Sequence, residues 1–248
     1  MQAKPSVTLF PTCLVDAVAP ETGLATARVL EERGFRIEVP EDSTCCGQPA
    51  WNAGHAGAAA KVARTTLRAL ADTAGAIVVP SGSCATMMRV FWPELFEIEG
   101  SRSEQLLAAD VAPRVEELSA FLSVEREQRR RTPADATATV YHRSCHMLRE
   151  LGIVDAPEKV LAQVATDLRH SEATGKCCGF GGMFSVKLPE VSTSMADEVL
   201  DAVAATGATR VVGCDVSCLM HMESRARRRD MDLVFAHLAE VLDQDGRA

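Results

Sequence analysis

Rings are scarce in this chain: one tyrosine, two tryptophans and eight phenylalanines make up 4% of 248 residues. A core of normal size must then be built from Ala, Val and Leu, which fits an α/β protein and excludes a disordered or fibrous one, given 47% hydrophobic residues. No apolar run approaches the ~20 residues of a membrane-spanning helix, and Met1 to Pro11 lacks the apolar stretch of a signal peptide. No transmembrane segment is therefore expected, and the chain reads as cytoplasmic. Basic residues are outnumbered, 26 against 34, for a net charge of -8. Binding phosphate backbones needs a basic face, so nucleic acid is excluded as a partner. The basic runs Arg129-Arg130-Arg131 and Arg227-Arg228-Arg229 sit among acidic and polar residues and read as solvated helix faces or linker. Also missing are a Gly-x-Gly-x-x-Gly fingerprint, a nucleophile-base pair and any Cys-x-x-Cys knuckle.

What the chain does hold is nine cysteines. In a reducing compartment, and with an odd count, they argue for metal ligation or redox chemistry over disulfides. Eight of them form one pattern written twice. Cys13 and Cys145 are 132 residues apart, Cys45-Cys46 and Cys177-Cys178 again 132, and Cys84 and Cys218 are 134 apart. The neighbours repeat too: Cys45-Cys46-Gly47 matches Cys177-Cys178-Gly179, and Ser83-Cys84 matches Ser217-Cys218. Duplication into two similar halves follows, residues 1–124 and 136–248, joined by a charged linker at 125–135.

Each cysteine follows an apolar run. Val7 to Phe10, Arg36 to Val39 and Ala76 to Val79 read as strands before Cys13, Cys45-Cys46 and Cys84. Ala138 to His142, the stretch near Asp167 to His170, and Arg210 to Val212 repeat the order. Helical patterns at Thr22 to Arg33 and Ala53 to Asp72 lie between the first three, closed near Gly34 and Gly75. Strands alternating with helices predict an α/β fold of two pseudo-symmetric halves, each a parallel sheet flanked by helices. Loops at the carboxyl ends of parallel strands gather on one edge, so each half is expected to collect its own four thiols at a sheet edge.

Four thiolates select an iron-sulfur cluster or zinc over hard cations. The paired cysteines with a following glycine suggest a wrap around a larger object, with Gly47 or Gly179 allowing close backbone approach. In the loop Gly179-Phe180-Gly181-Gly182, backbone amides can reach cluster sulfurs and tune their potential. Zinc in one half or both, in a scaffold with no redox role, stays open as the alternative. The flanking His142, His146, His221 and His55, and Lys187, are candidates for ligation, proton movement or added positive charge. Met147, Met183, Met195, Met220 and Met222 read as core filling.

The strings Thr12-Cys13-Leu14-Val15-Asp16, Cys45-Cys46-Gly47-Gln48-Pro49-Ala50, Pro80-Ser81-Gly82-Ser83-Cys84, Ser144-Cys145-His146-Met147, Cys177-Cys178-Gly179-Phe180-Gly181-Gly182 and Ser217-Cys218-Leu219-Met220 resemble the cysteine-rich CCG domain family of iron-sulfur oxidoreductase subunits, nearest its lactate-utilization members. The resemblance implies an iron-sulfur electron-transfer subunit of an L-lactate-oxidising complex. It also implies partner subunits, including a larger ferredoxin-like iron-sulfur subunit. Family members with five cysteines per set end in Cys-x-x-Cys, whereas Ser81 and Asp215 hold the first of those places here. Four matched thiols per half then point to cubane 4Fe-4S clusters, one cysteine per iron. On this reading the ligands are Cys13, Cys45, Cys46 and Cys84, and Cys145, Cys177, Cys178 and Cys218. Ser81 is expected to donate toward cluster sulfur and Asp215 to cap the helix near Cys218. Cys214, the unmatched cysteine, is expected to be buried as a small apolar residue.

Overall fold

A computed structural model describes residues 4–124, 133–173 and 175–245. Alternation along the strands builds its layers. In β1 (Ser6–Leu9), Val7 and Leu9 face one apolar cluster while Phe10, the next residue, faces another; in β3 (Ile77–Val79), Val78 points one way and Ile77 and Val79 the other. This is the period-two pattern of a strand buried on both faces. Together with β2 (Arg36–Glu38) and β4 (Val115–Glu117) they form an all-parallel sheet of order β2-β1-β3-β4. The second half repeats it with β5 (Thr139–His142), β6 (Leu168–Arg169), β7 (Arg210–Gly213) and β8 (Val234–His237), ordered β6-β5-β7-β8 and also parallel.

The six strand runs read from the sequence are all strands. The fourth strand of each sheet goes beyond that reading. β4 has three residues, two of them glutamates, so neither hydrophobicity nor length marks it as a strand.

The helices pack in two ways. Ala56–Ala71 puts Ala59, Ala60, Ala63, Leu67 and Leu70 on one stripe against the first sheet's outer face, and Pro189–Ala205 does the same for the second sheet with Val199, Leu200 and Val203. Four further helices, Pro20–Glu32, Leu118–Val124, Ala156–Leu161 and Leu238–Asp245, bury their apolar faces in a single cluster that both sheets share. The halves are thus layers around one common core. Leu30, Leu122 and Leu161 are fully buried in it, each worth about 1.5–3 kcal/mol of burial. Polar ties lie at its edge: Arg28 grips Asp243 through two bonds of 2.8 Å, and Arg33 donates to Gln163 at 2.6 Å.

Most of the charged linker, residues 125–132 with Arg129-Arg130-Arg131, lies outside the described residues. After it, Asp135 pairs with Arg210 at 2.6 Å. The run Arg227-Arg228-Arg229 is a solvated helix face, with Arg227 paired to Glu223 and Arg229 to Asp197 and Asp201. Among the described residues no helix is long and apolar enough to cross a membrane.

Candidate metal centre

In each sheet the strand order reverses direction between its first and third strands, and the crevice beyond the carboxyl ends of such strands is where ligands bind. Cys13 opens the helix Cys13–Val18 after β1, and Cys84 lies in the helix Gly82–Thr86 after β3. Cys45 and Cys46 come from the loop after β2. Cys145, Cys218 and the pair Cys177-Cys178 hold the matching places after β5, β7 and β6.

Local bonds fix these loops. Thr12 sits at φ +73°, an unusual region for a β-branched residue, and its Oγ1 accepts from the Val15 amide at 3.4 Å to cap the cysteine helix. The indole of Trp92 donates to the Cys46 carbonyl at 2.9 Å, and the Thr66 hydroxyl to the Cys45 carbonyl at 3.2 Å. Gly47 and Gly179 have φ +88° and +89°. A Cβ at Gly47 would stand 2.7 Å from the Ala59 carbonyl oxygen, and one at Gly179 2.3 Å from that of Ser192. The close approach these glycines permit is therefore to the outer helices. From that position their amides donate to sulfur, Gly47 to Cys45 at 3.5 Å and Gly179 to Cys177 at 3.4 Å.

The four thiols of each half converge. Cys13 and Cys45 sulfurs are 3.5 Å apart, Cys46 and Cys84 3.4 Å, and Cys178 and Cys218 2.9 Å. Donation from Cys13, then Cys46, holds the Cys45 thiol well below its ordinary value; Cys145 and Cys178 do the same for Cys177. Cys46 and Cys178 are pushed up by the same contacts and by burial. Each set thus already contains a site where negative charge is stabilised by its neighbours.

The two sets, each at the edge of its own sheet, face one another. Both open on one cavity of about 340 Å³ between the halves, lined by all eight matched cysteines with Ser81, Asp215, Gly181 and Gly182. Each half collects its own four thiols, and the shared cavity goes beyond that expectation. Its cause is the shared core, which turns the carboxyl ends of both sheets toward the same crevice.

Two further expectations are corrected. Asp215 makes no cap on its own helix, Val216–Arg228. It reaches across to the other half, where its Oδ1 accepts from Ser81 Oγ at 2.6 Å and Ser83 Oγ at 2.7 Å, and both its oxygens from the Ser83 amide at 3.2 Å. The Ser81 hydroxyl gives its hydrogen to Asp215 and accepts from the Cys84 amide at 3.2 Å, so it does not donate toward sulfur. Gly47 and Gly179 support the loops without lining the cavity.

Some residues escaped the sequence reading. Gln48 donates to the Ser83 carbonyl at 2.9 Å and meets His146 of the other half at 3.4 Å. Cys214 is buried as expected, but it also accepts from the Tyr141 hydroxyl at 3.0 Å and lies beside Glu117, whose carboxyl is pushed up by burial. His142 is buried, held down to about 4 by desolvation, and lies near Cys178 and Cys218. Among the other candidates, His221 bonds Ser192 at 3.2 Å, while His55 and Lys187 are exposed and do not line the cavity. Met147 and Met222 fill the core, but Met183 and Met220 are more than two-fifths exposed, against expectation.

The profile of the CCG family, described as the cysteine-rich domain, matches residues 7–89 and 139–223, one match per half. The chain belongs to the cysteine-rich CCG family. It is 38% identical over 237 residues to lactate utilization protein A 2 of Bacillus cereus strain Q1, covering 95% of this chain and 97% of that one. It is also 38% identical over 244 residues to lactate utilization protein A of Macrococcus caseolyticus, covering 98% of each. With lactate utilization protein A 1 of Bacillus anthracis the identity is 37% over 237 residues. Soft thiol donors, four per half, with amide hydrogens aimed at sulfur, fit a thiolate-bound metal or iron-sulfur centre.

Proposed function

We propose that this chain is the iron-sulfur electron-transfer subunit of an L-lactate-oxidising system, acting with partner subunits that include a ferredoxin-like iron-sulfur protein. The carrying observation is the single cavity lined by two complete four-thiol sets. The full-length similarity to lactate utilization proteins A supports the substrate class.

On this reading Cys13, Cys45, Cys46 and Cys84 hold one 4Fe-4S cluster and Cys145, Cys177, Cys178 and Cys218 a second. Such clusters accept and release single electrons. The chain's own residues do the rest. The Gly47 and Gly179 amides direct hydrogens at Cys45 and Cys177, which favours extra negative charge there. The buried Asp215 holds Ser81 and Ser83 so that the loop of one set is fixed from the half that carries the other. Two sets on one cavity would hold the two centres as neighbours within one chain.

Zinc is the second reading, and sulfur spacing in the first half favours it. A tetrahedral site with Zn–S near 2.3 Å places sulfurs ~3.8 Å apart, and Cys13–Cys45 and Cys46–Cys84 at 3.5 and 3.4 Å come close to that. Colour separates the readings, because protein prepared without oxygen is brown with clusters and colourless with zinc. The lactate role is tested by Cys178→Ala in a strain lacking the native subunit. Loss of growth on L-lactate, with the variant accumulating normally, is expected, and wild-type growth would refute the redox role of the second half.

A further inference from the structure

The repeat provides an internal control for what surrounds each thiol set. The amide donors are matched, since Gly47 reaches Cys45 at 3.5 Å and Gly179 reaches Cys177 at 3.4 Å. They cannot make the two centres differ. One buried position can. Residues 10 and 142 are equivalent at the offset of 132 that relates Cys13 to Cys145, and one is phenylalanine, the other histidine. Phe10 is 1% exposed and packs in the apolar cluster that contains Cys46. His142 ends β5, is 4% exposed, and has an imidazole nitrogen within 4.8 Å of the Cys178 and Cys218 sulfurs.

The Nε2 of His142 is buried and has no hydrogen-bond partner among the described residues. Leaving such a group unpaired forfeits the hydrogen bond it made to water in the unfolded chain. One imidazole nitrogen of this ring lies within reach of both thiols, and cluster sulfur held there is an acceptor for an imidazole N–H. A donor to cluster sulfur stabilises the reduced, more negative form and raises the potential. A phenyl ring at the equivalent place offers no such hydrogen and leaves its centre at the lower potential.

Resting on the cluster reading above, we propose that His142 donates an imidazole N–H to the second-half centre and makes the two centres inequivalent, the second having the higher reduction potential. An electron that enters at the first-half cluster then moves to the second, the first being oxidised and the second reduced, with no bond made or broken. His142 tunes the centre through that one hydrogen bond and takes no place among the ligands.

The test is potentiometry followed by electron paramagnetic resonance on the full chain reconstituted without oxygen, as wild type, H142F and H142Q. Wild type should show two separate midpoints. H142F should lower the upper midpoint toward the other while iron and sulfide content stay unchanged. H142Q, whose amide N–H can stand in for the imidazole N–H, should retain most of the separation. H142L carries the same expectation if H142F does not fold. Unmoved midpoints in H142F and H142L overturn the proposal, and so does loss of one cluster's iron, which would make His142 a ligand. A wild-type chain that takes up no iron and sulfide instead removes the cluster reading itself, so the two failures are distinct.

Discussion

At the scale of single residues, the eight matched cysteines were legible because their spacing repeats, and repetition survives without knowledge of the fold. Asp215 was legible only as a departure from a pattern. Its partners Ser81 and Ser83 lie more than 130 residues away in sequence, and no local rule connects an aspartate at one helix start to the cap of another helix. Since Asp215 satisfies three donors in a buried place, Asp215→Ala should cost about 2–3 kcal/mol by denaturant unfolding. It should also reduce metal uptake by the first set, whose Cys84 loop it steadies. Cys214 makes the opposite prediction. Its sulfur faces Tyr141 and Glu117, away from the thiol sets, so Cys214→Ala should leave metal content and absorption unchanged. Cys218→Ala should remove about one centre's metal, and equal losses in both variants would make Cys214 a ligand.

At the scale of elements, strands with strong apolar runs were readable and the two fourth strands were not. β4 holds Glu117 in a buried position because the Ser119 and Ala120 amides, 2.9 and 3.1 Å away, satisfy its Oε2 at the start of the next helix. Propensity reads a glutamate pair as surface, and tertiary context overrides it. Helix contact between the halves was equally hidden. Gly82 begins the helix of Cys84, and a Cβ there would lie 2.6 Å from the Cβ of Met147 in the helix of Cys145. Gly82→Ala should therefore destabilise by about 1–3 kcal/mol through overpacking. Because the obstruction is a Cβ and not a flexible tip, Met147→Ala should fail to restore stability in the double variant. Full recovery in thermal unfolding would show that the helices can move apart at little cost.

At the scale of the whole molecule, the sequence showed two halves and the structure shows what binds them. Each sheet's last strand sends one residue across the boundary: Glu117 ends β4 and lies beside Cys214, and His237 ends β8 and donates from Nε2 to the Pro80 carbonyl at 3.2 Å. Pro80 and Cys214 are equivalent at the offset of 134 that relates Cys84 to Cys218, so the crossing is itself pseudo-symmetric. Burial lowers His237 from its ordinary 6.5. Below pH 6.5 the unfolded chain then takes up a proton that the folded chain refuses, so stability falls as pH drops from 6.5 toward the lowered value. The urea midpoint of wild type should be lower at pH 5.5 than at 7.5, and the drop should be smaller in His237→Gln; an equal drop would place the acid sensitivity elsewhere. The shared core, the crossing residues and the common cavity all serve the same end, which is to bring two four-thiol sets face to face. The direct test of that account is iron and acid-labile sulfide per chain in protein prepared without oxygen, read with electron paramagnetic resonance. Two four-iron clusters predict about eight of each per chain and a cubane signal on reduction. Colourless protein with neither iron nor sulfide would contradict it.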